Sequence, residues 1–213
     1  GAGPCREICA LTGASMQTVT RLCKLGLLEQ QEREVLRSPK QELPPPAEPI
    51  TLTDEQQTAF DGLSAQMERE KPGAALLYGV TGSGKTAVYV ALIQKALDEG
   101  RSAMLLVPEI ALTPQLLGRM TAHFGKTVAV LHSSLRVGER YDEWRRIARG
   151  EARVVVGTRS AVFAPLQSPG LLILDEEQEH TYKSENAPRY HARDVAKFRC
   201  AQHRALLLLG SAT

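Results

Sequence analysis

Gly-Val-Thr-Gly-Ser-Gly-Lys-Thr, at residues 79–86, is the stretch from which the fold can be predicted. Glycine, four residues, then Gly-Lys-Thr is the phosphate-binding loop pattern, in which glycines let the backbone curl so that successive N–H groups point at a phosphate. Residues 74–78 before it predict a short buried strand, and residues 87–97 after it predict a helix. The positive N-terminal end of that helix would face the same anion.

The loop residues predict a site for ATP and Mg²⁺. Lys85 is expected to reach the β- and γ-phosphates, and Thr86 to offer its hydroxyl to the metal ion. The remaining predicted nucleotide contacts are Gly79, Val80, Thr81, Gly82, Ser83 and Gly84.

Apolar segments alternate with helical ones from Ile50 onward. The predicted strands are 74–78, 103–107, 128–131, 153–156, 171–174 and 205–209. The predicted helices run from Thr53 or Asp54 to about Glu70 and near 84–98, 114–123, 138–149 and 191–202. Short continuous apolar strands between helices predict an α/β domain with a parallel sheet covered on both faces, complete within this chain.

A second motif, which is acidic, follows one of these strands. In Leu-Ile-Leu-Asp175-Glu176-Glu177-Gln178, Asp175 is expected to hold Mg²⁺ and Glu176 to polarise the water that attacks the γ-phosphate. A third, shorter motif, Gly210-Ser-Ala-Thr213, follows the last predicted strand.

The N-terminal part predicts a separate small domain at residues 1–37, in which two helices and a polar hairpin have the outline of a winged helix. Residues 1–50 hold six Lys or Arg and six Asp or Glu, so a DNA reader and a docking module both remain open. Five of the 13 residues in 38–50 are proline, which predicts a stiff linker before the main domain at 51–213.

Composition sets only broad limits. An apolar fraction of 43% suits a globular chain, and a formal net charge of +2 does not by itself imply nucleic acid. No apolar run approaches a membrane span, and the start shows no signal pattern. Four cysteines without a Cys-x-x-Cys pair favour small buried thiols in a reducing cytoplasm over a metal site.

The motif order resembles the superfamily 2 helicases. It comprises Thr-Asp-Glu-Gln, the phosphate loop, Val-Pro-Glu-Ile-Ala-Leu-Thr-Pro-Gln, Leu-His-Ser-Ser-Leu, Val-Gly-Thr-Arg-Ser-Ala, Asp-Glu-Glu-Gln and Gly-Ser-Ala-Thr. Arg189-Tyr-His-Ala-Arg-Asp194 narrows the resemblance to the bacterial replication-restart helicases. It implies a RecA-like first motor lobe of an enzyme that hydrolyses ATP with Mg²⁺ and moves 3′→5′ on single-stranded DNA.

The resemblance also assigns roles to single residues. Gln56 matches the residue that reads adenine, while Gln178, Ser211 and Thr213 match positions that couple hydrolysis to DNA. Residues 181–194 match a loop that senses single-stranded DNA, and they lie in the most basic stretch near the motifs. The residues expected to contact DNA are Thr113, Ser133, Thr158, Arg159, Tyr182, Lys183, Arg189 and Tyr190.

Two departures from the family pattern matter. Gln178 stands where many members have histidine, although glutamine can still both donate and accept hydrogen bonds. The chain begins with Gly1 and ends at the third motif, so we expect a fragment without the second motor lobe and its zinc-binding insertion.

The resemblance implies forked and single-stranded DNA, primosome proteins and single-stranded DNA-binding protein as partners, and a cytoplasmic, nucleoid-associated location without membrane attachment. Two alternatives stay open: another superfamily 2 DNA translocase, and a half-motor that binds nucleotide and DNA without hydrolysis.

Overall fold

A computed structural model describes residues 5–30, 44–45, 47–69, 71–80 and 82–212. The chain divides into two compact units, Gly1–Leu36 and Arg37–Thr213. No helix within the described ranges has the length and apolar character needed to cross a membrane.

The first unit contains a pair of short helices, α1 (Cys5–Thr12) and α2 (Met16–Lys24). Ser15 caps α2 because its hydroxyl accepts a hydrogen bond from the Thr18 amide, and Val19 is buried. The predicted helices are therefore confirmed. Most of the predicted hairpin falls at residues 31–36, outside the described residues, so the winged helix stays a prediction.

A six-stranded parallel sheet forms the second unit, and all six predicted strands are confirmed. The strands are β1 (Gly73–Tyr78), β2 (Ser102–Leu106), β3 (Val128–Leu131), β4 (Val154–Gly157), β5 (Pro169–Leu174) and β6 (Leu206–Ser211). Their order across the sheet is β1-β6-β5-β2-β4-β3. The phosphate loop after β1 and the acidic motif after β5 therefore leave the sheet at the same edge, two strands apart.

Among the residues that the structure describes, five helices cover the sheet: α3 (Asp54–Met67), α4 (Lys85–Asp98), α5 (Pro114–Phe124), α6 (Val137–Ala148) and α7 (Ala192–His203). Buried residues of α3, α4 and α5 share one apolar cluster with one face of the sheet. Residues of α6 and α7 belong to the cluster on the other face. Val88, Leu92, Ile93 and Ala96 are among the buried residues of α4.

Strand β1 departs from the prediction of a buried strand. Its residues alternate between half-buried and exposed, with Leu76 60% and Tyr78 64% exposed. The reason is position: β1 is an edge strand, and Leu76 and Tyr78 lie on the face opposite α3 and α4. Gly73 donates its amide to the Ala205 carbonyl just before β6, and Gly79 donates to the Ser211 carbonyl in β6, so the even-numbered residues between them turn their amides to the open edge.

Cysteine burial matches the prediction only at Cys200, which is buried in α7. Burial raises the pKa of its thiol to about 12, so the group stays protonated and unreactive. Cys5, Cys9 and Cys23 are half-buried free thiols. Among the described residues, no three side chains of the ligand types are grouped closely enough to hold a metal ion.

Candidate nucleotide and DNA site

The phosphate loop is shaped by glycine. Gly82 and Gly84 both have φ of +83°, in the left-handed region that favours glycine. A Cβ built on Gly84 would overlap Nε2 of Gln56, and one on Gly79 would lie 2.7 Å from Oγ of Ser83. A side chain at either position would displace these neighbouring side chains of the loop and of α3. Thr81, also predicted to contact nucleotide, lies outside the described residues.

Lys85 joins the loop to the acidic motif. It is the first residue of α4, and its Nζ donates a hydrogen bond to the Gly79 carbonyl at 2.6 Å. The same ammonium group lies 3.8 Å from Oε1 of Glu176, and the lysine side chain is only 9% exposed. The structure therefore brings together two of the three predicted catalytic residues directly.

Asp175 directly follows β5 and completes this group. Its Oδ1 accepts a hydrogen bond from the hydroxyl of Tyr89, on α4, at 2.8 Å. Burial raises the pKa of the Asp175 carboxyl, whereas the Tyr89 hydrogen bond acts in the opposite direction. Burial also raises the pKa of Tyr89, so its hydroxyl remains a donor.

Glu176 and Gln178 connect the acidic motif to the third motif. Nε2 of Gln178 donates to Oε2 of Glu176 at 2.7 Å, and Oε1 of Gln178 accepts from the Ser211 hydroxyl at 3.2 Å. Glu176 has φ of +48°, an uncommon conformation for a non-glycine residue that often marks a functional site. Gln178 and Ser211, both predicted to couple, are thus in contact; Thr213 lies outside the described residues.

Gln56 contacts the phosphate loop as well as its own helix. Its side chain completes a capping box with Thr53 at the start of α3. Its Nε2 donates a hydrogen bond to the Ser83 carbonyl at 3.1 Å. The predicted adenine reader is therefore placed beside the loop, 27 residues away in sequence.

The oxygen donors at this site suit Mg²⁺. A threonine hydroxyl at Thr86 and a carboxylate at Asp175 are the hard ligands that this ion prefers. Thr86 immediately follows Lys85 in the first turn of α4, and Asp175 directly follows β5. The residues present therefore fit the metal that the motifs imply.

Two residues predicted to contact DNA are buried, and these predictions are corrected. Tyr182 is 1% exposed, so its ring offers no stacking face. Its hydroxyl instead donates to the backbone carbonyls of Asp175, at 2.6 Å, and Leu106, at 3.0 Å. Thr158 is 4% exposed and its amide bonds to the Leu131 carbonyl. Sequence reasoning missed their burial because both lie in loops whose packing depends on distant strands.

Other predicted DNA residues differ in how accessible they are. Lys183 and Arg189 are exposed, while Thr113 is half-buried and caps α5 by accepting from the Leu116 amide. Ser133 is exposed, and its hydroxyl bonds to Oε1 of Glu109 at 3.0 Å. Glu109 belongs to the Val-Pro-Glu-Ile-Ala-Leu-Thr-Pro-Gln motif, so this surface carries a carboxylate beside the Ser133 hydroxyl.

Arg159 and Tyr190 tie the loop after β5 to the segment after β4. The Arg159 guanidinium donates to the carbonyls of Thr181 and Lys183, and its Cζ lies 6.0 Å from the centre of the Tyr190 ring. Tyr190 also packs edge-on against Phe163, with ring centres 4.8 Å apart. Arg159 is thus engaged with the loop, whereas Phe163, a neighbour that sequence reasoning missed, is exposed.

A polar cavity of about 360 Å³ opens between the acidic motif and this loop. One wall carries an ion pair in which Arg193 lies 3.0 Å from Oε2 of Glu177. The cavity is lined by Glu177, Gln178, Glu179, His180, Lys183, Glu185, His191 and Arg193. The lining contains both acidic and basic side chains, and it lies next in sequence to Glu176, which faces Lys85 of the phosphate loop.

The sequence matches the DEAD/DEAH box helicases over residues 53–213. It is also similar to the replication restart protein PriA of several bacteria. Identity to the Bacillus subtilis protein is 48% over 211 residues, 99% of this chain and 26% of that protein. Identity to the Synechocystis protein is 44%, over 93% of this chain and 24% of that protein. This chain therefore spans about a quarter of the length of these curated relatives.

Two solved structures share the fold of the second unit. RecG bound to a three-way DNA junction aligns with a TM-score of 0.60 and 26% identity, over 78% of this chain and 21% of RecG. The Hef helicase domain of Pyrococcus furiosus aligns with a TM-score of 0.53 and 20% identity, over 75% of this chain and 32% of that chain.

Proposed function

Because the chain belongs to the DEAD/DEAH box helicase family, we propose that residues 51–213 are the first motor lobe of an ATP-dependent DNA helicase that acts in replication restart. The observation that supports this best is the meeting of three motifs at one sheet edge. Lys85 approaches Glu176, and Gln178 links Glu176 to Ser211. These contacts, one ion pair and two hydrogen bonds, join the phosphate-binding lysine to the acidic pair and the acidic pair to the coupling motif.

The residues divide the work of ATP hydrolysis between them. The loop from Gly79 to Thr86 cradles the phosphates, and Lys85 neutralises charge on the β- and γ-phosphates. Mg²⁺, held by Thr86 and Asp175, would shield the same phosphates when bound. Glu176 polarises the attacking water, and Gln56 recognises adenine.

The loop at residues 181–194 is proposed to report DNA to this site. Lys183 and Arg189 are exposed partners for DNA phosphates, and Tyr190 offers the accessible part of its ring to a base. Tyr182 connects the loop to the Asp175 backbone, so a shift of the loop changes the position of Asp175. Its role is mechanical rather than in stacking.

The parent activity follows from similarity to PriA over nearly the whole chain. We infer 3′→5′ movement on single-stranded DNA, binding to forked DNA, and work with primosome proteins and single-stranded DNA-binding protein in the bacterial cytoplasm at the nucleoid. Residues 1–37 are the winged-helix-like domain and 38–50 the linker. A half-motor that binds nucleotide without turnover remains the second candidate, since the chain spans about a quarter of these relatives.

Nucleotide binding to Lys85→Ala tests the proposal. The substitution removes the cation that the loop places against the phosphates, so ADP affinity measured by calorimetry should fall at least tenfold (roughly 1.4 kcal/mol). Asp175→Asn should impair hydrolysis in the complete enzyme more than binding. Lys95→Ala is a matched control, since Lys95 lies on the same helix but pairs with Glu68 and Glu99. Unchanged ADP affinity in Lys85→Ala would refute the nucleotide site.

A further inference from the structure

Tyr89 is a buried tyrosine that belongs to none of the motifs. It lies one helical turn after Lys85 on α4 and is 1% exposed. Its hydroxyl reaches across the sheet edge to Oδ1 of Asp175, 86 residues away in the sequence. The residue therefore joins the helix that carries the phosphate-binding lysine to the carboxylate that would hold the metal.

Strand β6 packs directly against this contact. A Cβ built on Gly210 would overlap the Tyr89 hydroxyl and lie 2.7 Å from Oδ1 of Asp175. Glu177, just past Asp175, donates its amide to the Gly210 carbonyl at 2.9 Å, which holds β6 against the acidic motif. The hydroxyl, the carboxylate and the Gly210 backbone thus form one closely packed node.

A carboxylate at a partly buried site needs hydrogen-bond donors, and the donors it has determine how it is oriented. The Tyr89 hydroxyl occupies one oxygen of Asp175 and thereby limits rotation of the group. The Glu176 backbone amide also donates to this carboxyl, and the two oxygens of a carboxylate together accept about four bonds, so the oriented group can still bind a cation. In metalloproteins, partners that orient a ligand in this way commonly affect metal affinity by roughly 10–100-fold.

We propose that Tyr89 is a positioning residue that orients Asp175 to bind the Mg²⁺ accompanying the nucleotide. This inference rests on the proposed function, because only a nucleotide site gives Asp175 a metal to hold. A purely structural role for the hydroxyl would instead affect folding stability and leave metal binding unchanged.

The test compares ADP affinity with Mg²⁺ and with EDTA. The ratio of the two affinities measures the contribution of the metal and needs no turnover. In Tyr89→Phe the ratio should fall about tenfold relative to wild type, while ADP affinity in EDTA stays within about twofold of wild type. If Tyr89 acts through Asp175, the same substitution in an Asp175→Asn background should cause no further fall in the ratio.

Ile93→Val serves as the stability control, because Ile93 is fully buried in the apolar cluster one turn further along α4 and its side chain has no polar atom that could bond to Asp175. Its ratio should equal that of wild type. If Tyr89→Phe melts near the assay temperature, the ratio can be taken from the melting-temperature shifts caused by ADP with and without Mg²⁺.

Two results would overturn the proposal. In the first, the affinity ratio of wild type is above one, and Tyr89→Phe either leaves it unchanged or lowers it no more than Ile93→Val does. Tyr89 would then have only a structural role. A ratio of one in wild type would overturn this inference alone, because ADP would then bind without help from Mg²⁺, whereas absence of ADP binding both with Mg²⁺ and with EDTA would refute the proposed function.

Discussion

At the scale of single residues, Gly210 is where the third motif meets the metal ligand. The described structure leaves no room for a side chain between its backbone, the Tyr89 hydroxyl and the Asp175 carboxylate. Gly210→Ala should therefore lower the free energy of unfolding by about 1–3 kcal/mol through overpacking. Urea denaturation of the purified chain measures the change.

Gly118→Ala is the matched substitution for Gly210→Ala. Gly118 lies inside α5, and a Cβ there would meet no atom within 4 Å. Alanine should raise the unfolding free energy by about 0.5–1 kcal/mol, because glycine loses more conformational freedom in a helix. Equal stability of the Gly210 variant and wild type would show that the node is less tightly packed than the structure indicates.

Single residues also show where sequence reasoning reached its limit. Lys85, Asp175 and Glu176 could be assigned because local motifs carry their chemistry, and the structure brings them together. Tyr89 could not be found, because its partner lies 86 residues away and nothing in the local pattern distinguishes it from a core aromatic. The prediction for Tyr182 is wrong for a similar reason. Its hydroxyl bonds to the carbonyl of Leu106, at the end of β2, and to that of Asp175, just after β5, and the local sequence does not reveal these contacts.

At the scale of elements, the loop after β5 is held by the segment after β4. Arg159 donates to two carbonyls of this loop, and Phe163 packs against Tyr190. In the complete enzyme, Tyr190→Ala or Arg189→Ala should lower DNA-stimulated ATPase activity several-fold and basal activity much less. The physical reason is that stacking is worth about 1–3 kcal/mol per base, whereas neither side chain contacts the phosphate loop in the described structure.

Steady-state hydrolysis with and without single-stranded DNA measures this effect of the loop. Lys71→Ala provides the control, since Lys71 is exposed just before β1 and far in sequence from the loop. Equal losses of basal and stimulated rates in Tyr190→Ala would point to a folding defect rather than to DNA sensing.

Strand β1 shows what hydrophobic pattern cannot reveal about an element. Ala-Ala-Leu-Leu-Tyr reads as a continuous buried run, yet the strand lies at the edge of the sheet and exposes Leu76 and Tyr78. Local composition predicts that a segment forms a strand. Which strands lie beside it, and therefore whether it is at the edge, depends on the order of all six strands. The predicted sheet covered by helices is confirmed, and only the prediction that residues 74–78 form a buried strand is corrected.

The exposed edge of β1 should make the isolated chain self-associate. Open backbone amides beside apolar side chains favour edge-to-edge pairing, and an edge lysine opposes it. Leu76→Lys should lower the apparent molar mass in light scattering at tens of micromolar protein. Leu11→Lys, at a position 87% exposed in the first unit, should leave it unchanged. A wild-type chain that stays monomeric would contradict this expectation.

At the scale of the whole molecule, the chain should bind nucleotide but hydrolyse it at a rate near background. The site described here provides a phosphate loop, two carboxylates and Lys85, the cation that lies 3.8 Å from Glu176. In the helicases that the sequence resembles, the nucleotide lies between two motor lobes, and the second lobe supplies an arginine to the transferring phosphoryl group. This chain spans about a quarter of its curated relatives, and its second compact unit, Arg37–Thr213, contains the proposed first motor lobe.

An arginine supplied across such a cleft is worth on the order of 10³–10⁵ in rate in related phosphoryl-transfer enzymes. That factor corresponds to about 4–7 kcal/mol of activation free energy. ADP with Mg²⁺ should therefore raise the melting temperature through linkage, while phosphate release stays near the Lys85→Ala background even with single-stranded DNA. Robust DNA-stimulated turnover by this chain would mean that a second copy completes the site, and turnover that rises with the square of protein concentration would identify that case.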